Sequence, residues 1–134
     1  MSTRSAPQVT LEAARRIAEA GEAEAREQGW HVTIAIVDAA GDLVLLQRDD
    51  QANPASVANA EGKARTSARF RRTTKVLEDA IAAGRPVLMT FPGIVPVQGG
   101  VPIEVNGQVV GAVGVSGATS AQDEQVARAG IGAM

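Results

Sequence analysis

Apolar and polar positions recur along this chain with two distinct periods. From Thr10 onward, Leu11, Ala14, Ala18 and Ala25 fall on one helical stripe, while Glu12, Arg15, Arg16, Glu19 and Arg26 lie mostly outside it. Thr10 offers an N-cap and Gly29 a stop, so the pattern predicts a helix between them. The period then changes to two: His31 to Val37 and Leu43 to Gln47 read as strands, and Ala39-Ala40-Gly41-Asp42 between them supplies turn residues for a hairpin. Pro54 opens a further helical stretch, Ala55 to Phe70, with Val57, Ala60, Ala64, Ser67 and Ala68 on its inner side. Thr74 to Ala83 predicts a second helix that ends at Gly84, and Val87 to Thr90 reads as a short strand. Val101 to Val105 and Gln108 to Val115 flank Asn106-Gly107, a strong hairpin signal. Ser120, followed by Asp123, resembles a capping box for a last helix that includes Val126, Ala127 and Ile131.

The predicted order is α-β-β-α-α-β-β-β-α, an α+β domain with an antiparallel sheet of about five strands. The tight turns exclude a doubly wound parallel sheet, because a parallel return needs a long crossover. Residues 1–9 carry little to bury and read as a flexible N-terminal arm, leaving 10–134 as a single domain.

Composition narrows the chemistry. With 45% apolar residues in 134, the chain has material for a core. The absence of Cys excludes disulfides, thiolate metal sites and thiol nucleophiles, and a single His excludes paired-His metal motifs, so no metal site is expected. A net charge of -2 and only three aromatic residues argue against nucleic-acid partners. No apolar run approaches the roughly 20 residues of a membrane span, and the first residues lack a signal-like core. A cytoplasmic protein with no membrane partner is expected.

Several residues carry candidate chemistry. Gly111 and Gly114 imitate half of a dinucleotide fingerprint but sit within a strand, where glycine more often marks close backbone approach. Lys63 flanks the inner stripe of its helix and needs a partner, either a carboxylate such as Asp38 or Asp123, or an anionic ligand. Asp38 also suits a turn cap. Lys63, Thr66, Thr74, Gly99, Gly100, Ser116 and Gly117 together form a candidate anion-binding set, a cation with hydroxyls and backbone N–H donors. His31, the lone imidazole, follows Gly29-Trp30 at a strand start. Arg69, Arg71, Arg72 and Lys75 form a basic cluster, whereas Glu22, Glu24 and Glu27 are not spaced to share one helix face.

Four blocks then carry a resemblance: Val32-Thr-Ile-Ala-Ile-Val-Asp38 with Gly41, Lys63-Ala-Arg-Thr66, Gly99-Gly-Val-Pro-Ile103, and Gly111-Ala-Val-Gly-Val-Ser-Gly117 with Asp123. In this order they resemble the GlcG/HbpS family, which also includes the C-terminal domain of PduO. The resemblance implies a profilin-like outline, self-assembly into homo-oligomers, and binding of haem or a related tetrapyrrole in some bacterial members, many encoded in catabolic operons. It makes an anionic small molecule or tetrapyrrole the expected partner; the family has no single invariant ligand motif to carry over, and if haem binds, His31 is the candidate ligand as the only imidazole in the chain. The alternative it leaves open is a small cofactor-independent enzyme that converts an oxo or hydroxy acid. The chain departs from the family in two places: Thr73-Thr74 stands where Pro-Thr is usual, and Arg48-Asp49-Asp50 stands where Arg-Met-Asp is often found.

Overall fold

The computed structural model describes residues 2–134. Four helices, α1 (Leu11–Gln28), α2 (Ala55–Phe70), α3 (Thr74–Ala82) and α4 (Ser120–Ile131), accompany four strands, β1 (Thr33–Asp38), β2 (Leu43–Arg48), β3 (Gly100–Val105) and β4 (Gln108–Ser116). Thr10 caps α1 by accepting the Ala13 N–H, and Gly29 closes it in the left-handed conformation. The capping box of α4 starts one residue earlier than the sequence pattern predicts: Thr119 accepts the Gln122 N–H, and Gln122 reaches back to the Thr119 N–H.

The sheet has four strands in the order β2-β1-β4-β3, all antiparallel. The expected fifth strand is absent among the described residues. Pro86–Thr90 instead forms a short 3-10 helix, with Pro86 at its first turn and only Leu88 buried. Three consecutive apolar residues, Val87 to Met89, cannot be assigned to strand or helix by their period. Here the fixed φ of Pro86 and the local bonds from Leu88 N–H to Arg85 O and from Phe91 N–H to Leu88 O favour the turn.

Each hairpin is local, and the β1–β4 ladder, from Thr33↔Ser116 to Asp38↔Gly111, joins them. Asn106 and Gly107 both take positive φ, as the tight β3–β4 turn requires. Alternation along the strands sends two sets of side chains to opposite faces. One set, with Ile34, Ile36, Ile103, Val113 and Val115, packs against α1 and α4 through Ile17 and Val126. The other, with Ala35, Val37 and Ala112, meets Ala60, Ala64 and Ala68 of α2. The last residue of the expected arm is held at the sheet: Val9 is buried, its N–H donates to Val110 O, and the Gln8 side chain accepts the Ala39 N–H. Met1 lies outside the described residues.

Candidate functional site

Lys63 leaves the inner side of α2 and reaches past the end of β4 to α4. Its ammonium, on a residue only 3% exposed, donates to Val115 O at 2.9 Å and to Asp123 Oδ2 at 3.1 Å. Asp123 Oδ1 accepts the Ala118 N–H at 2.9 Å. Burial pushes the Asp123 carboxyl above its ordinary range, opposed by the Ala118 N–H and the Lys63 charge. Asp38 is engaged elsewhere, as a cap that accepts the Ala40 and Asp42 N–H groups of the β1–β2 turn.

The other members of the expected anion-binding set surround this pair or extend from it. A side chain at Gly99 would crowd Val115 O and Lys63 Nζ, and one at Gly100 would strike the Lys63 carbonyl. Thr74 accepts the Gly100 N–H at 2.9 Å, and Thr66 accepts the Val95 N–H at 2.9 Å. Ser116 pairs with Thr33 across the ladder, and Gly117 presses on the His31 carbonyl. Lys63, Thr66, Thr74 and the Gly100 N–H therefore have partners within the chain, and among the described residues no buried side-chain nitrogen or oxygen lacks one. In-strand Gly114 marks close backbone approach: an added Cβ would collide with the Ala60 carbonyl and the Ala64 amide nitrogen.

The basic cluster is also engaged. Arg69 donates to Ala40 O at 3.0 Å and Arg71 to Ala39 O at 2.9 Å, clamping the β1–β2 turn. Arg72 donates to Phe70 O, and Lys75 pairs with Asp79. Among the described residues no group of three His, Asp or Glu side chains is arranged to hold a metal ion.

Open space lies at the same end of the sheet as Val115 and Ser116, on the side of β1 and β2. A cleft of about 230 Å³ is walled by Trp30 and Ile34, with Glu22, Arg26, Gln47 and Arg48 among its polar lining, and His31 and Asp49 also border it. His31 and Trp30 also border a shallower depression of about 430 Å³ that reaches Gly117 and the start of α4. The His31 side chain is 46% exposed, and its Nδ1 lies 2.5 Å from Asp49 Oδ2. His31 holds the Asp49 carboxyl below its usual range, with help from the Gln51 N–H. Arg26 pairs with Glu22 at 2.8 Å, and Gln47 donates to the same carboxylate.

His31 thus touches the Lys63 set only through Gly117, and it borders a cleft that Lys63, Thr66, Thr74, Gly99 and Gly100 do not line. Sequence reasoning did not assign Trp30, Arg26, Arg48 or Asp49 to a site. The adjacent Trp-His pair after a helix stop was the available signal, but the arginines and Asp49 come from separate elements and carried none.

The comparisons agree with the four-block resemblance. Protein GlcG of Escherichia coli K12 is 43% identical over 103 residues, 77% of either chain. The crystal structure of a double mutant of Streptomyces reticuli HbpS superposes with a TM-score of 0.90 at 35% identity, covering 98% of this chain and 94% of that one. A crystal structure of a PduOC:heme complex shares the fold, with a TM-score of 0.87 at 24% identity and 95% of each chain covered. A family profile described as "Haem degrading protein HbpS-like" matches residues 9–132, and the chain belongs to that HbpS-like family.

Proposed function

We propose that this protein binds haem or a related anionic tetrapyrrole in the Trp30 cleft, with His31 as the ligand to its metal. The observation that carries this reading is the position of the chain's single imidazole: His31 borders an aromatic-walled cleft with Nδ1 engaged, and Nε2 makes no hydrogen bond among the described residues. The residues suit the group. The Trp30 indole offers a flat apolar wall, Arg26 and Arg48 offer cations to propionates, and imidazole is a common iron ligand. Bound haem would supply the redox and ligand-exchange chemistry of its iron, while the chain supplies orientation and charge. The HbpS relative and the haem complex of PduOC support the ligand class.

The cleft falls below the roughly 300–1,000 Å³ of enclosed small-molecule sites, so a macrocycle would extend into the adjoining depression or against a second copy. A symmetric homo-oligomer belongs to the same reading. Val87, Met89 and Phe91 are exposed apolar side chains around the 3-10 helix, and covering them would add burial. Lys63, Thr66, Thr74, Gly99, Gly100, Ser116 and Gly117 then serve as the frame behind the cleft.

A haemin titration followed in the visible spectrum tests the binding reading. A sharp Soret band at one equivalent, shifted or lost in His31→Ala, is expected; a band unchanged in that variant would overturn His31 as the ligand and direct attention to Thr73, Thr74 and the arginines beside them. Light scattering tests assembly, and a particle of 13.8 kDa at micromolar concentration would overturn it.

A further inference from the structure

The other exposed ion pairs among the described residues join neighbouring turns of one helix, whereas His31–Asp49 joins two separate segments of the chain. Both partners stand on fixed backbone. On one side, the α1 stop places Trp30, whose N–H donates to Ala25 O, and Gly117 packs against the His31 carbonyl so closely that a Cβ there would collide with it. On the other, the Asp49 N–H donates to Val32 O, its carbonyl accepts the Ala52 N–H, and its Oδ1 accepts the Gln51 N–H at 3.2 Å. Oδ2 is left to face the imidazole.

An ionised carboxylate only accepts hydrogen bonds, so a neutral imidazole bonded to it through Nδ1 carries its proton there and keeps the Nε2 lone pair. A hydrogen bond to the second ring nitrogen is how proteins commonly orient a ligating histidine and strengthen it as a donor. From this juxtaposition we infer that Asp49 is a positioning residue, which fixes the His31 tautomer and ring orientation so that Nε2 is presented as a ligand before any ligand arrives. The inference rests on the haem reading for what His31 ligates, but its first consequence belongs to the ligand-free protein.

Asp49→Asn provides a nearly isosteric test. The Gln51 N–H keeps the amide oxygen on its own side, so the amide NH₂ turns to Nδ1 and donates, moving the imidazole proton to Nε2. Nitrogen-15 NMR of the tag-free, ligand-free protein, above the pH of imidazole titration, reads the tautomer directly because the chain has one His. The parent is expected to carry the proton on Nδ1 and Asp49→Asn on Nε2, with Asp49→Ala giving a mixture if the first variant fails to fold. Haemin affinity is expected to fall about tenfold or more in Asp49→Asn, the scale seen when an outer-shell partner of a metal ligand is lost. An Nε2–H tautomer in the parent, or a tautomer and affinity unchanged in both variants, would overturn the positioning role while His31→Ala still lost the Soret band. Haemin binding unchanged in His31→Ala would instead overturn the haem reading, and the proposal with it.

Discussion

The two faces of the sheet solve the same packing problem with different materials. Toward α1 and α4 the space is filled by Ile17, Ile34, Ile36, Ile103, Val113, Val115 and Val126, whose branched side chains hold helix and sheet apart. Toward α2 the contact is made by Ala35, Ala60, Ala64, Ala68 and Ala112, and at Gly114 the sheet backbone meets the helix backbone with nothing between them. The first face depends on volume and the second on its absence. The chain is poor in large aromatics, and close approach of α2 keeps that second face dry without them. Lys63 links the faces, because it starts on α2 and ends on Asp123 of α4.

That link is the place to break the arrangement most severely. Asp123→Ala leaves a buried ammonium with one carbonyl partner and is expected to cost about 3–5 kcal/mol, read as a lower urea midpoint at unchanged slope. A loss below about 1 kcal/mol, the range of a surface pair, would show that water reaches Lys63 and that the faces are not coupled through it.

Gly114→Ala probes the thin face alone. A methyl there meets two backbone atoms of α2 that cannot rotate aside, so a loss of at least about 3 kcal/mol is expected, the upper part of the overpacking range. Ile36→Val provides the contrast on the thick face, where removing one methylene should cost about 0.5–1.5 kcal/mol. If Ile36→Val proved the more damaging of the two, the contrast between filling and closeness would collapse.

The smallest expected effect is on pH dependence. Burial raises the native Asp123 carboxyl above its unfolded value of about 3.9. Between those two values the native state holds a proton that the unfolded chain releases, so this group's contribution is present at the acid end and is lost as pH rises through the window. The stability of the parent minus that of Asp123→Asn should therefore decline as pH rises from about 4. A difference that grows with pH would show the Lys63 charge outweighing burial at this carboxyl. Asp49 acts in the opposite sense, since its lowered value gives stability that is lost as pH falls, and the subtraction removes it.

What could be read from the sequence follows the range of the signal. Thr10, Gly29 and Asn106-Gly107 act on their immediate neighbours, and each stands where its local chemistry predicts. The wheel placing Lys63 beside the inner stripe of α2 required a partner but could only suggest candidates, and Asp123 lies 60 residues away. Val87 to Thr90 failed because its few apolar positions fit either period, and Pro86 decided between them. The cleft was least legible, since Arg26, His31 and Arg48 meet only after β1 has paired with β2 and α1 has packed across them.

The β1–β4 ladder also has a kinetic consequence. Each hairpin needs only local contacts and can form within about 1–10 μs, but pairing Thr33 with Ser116 requires closure across the whole α2–α3 segment. The slow step of folding is then expected to be the pairing of the two hairpins along that one seam. Closure entropy grows only logarithmically with the length of the connection, so even doubling that whole length should cost only about 0.6 kcal/mol. Folding speed should accordingly respond far more to side chains at the seam than to the length of the exposed connection that brings its edges together.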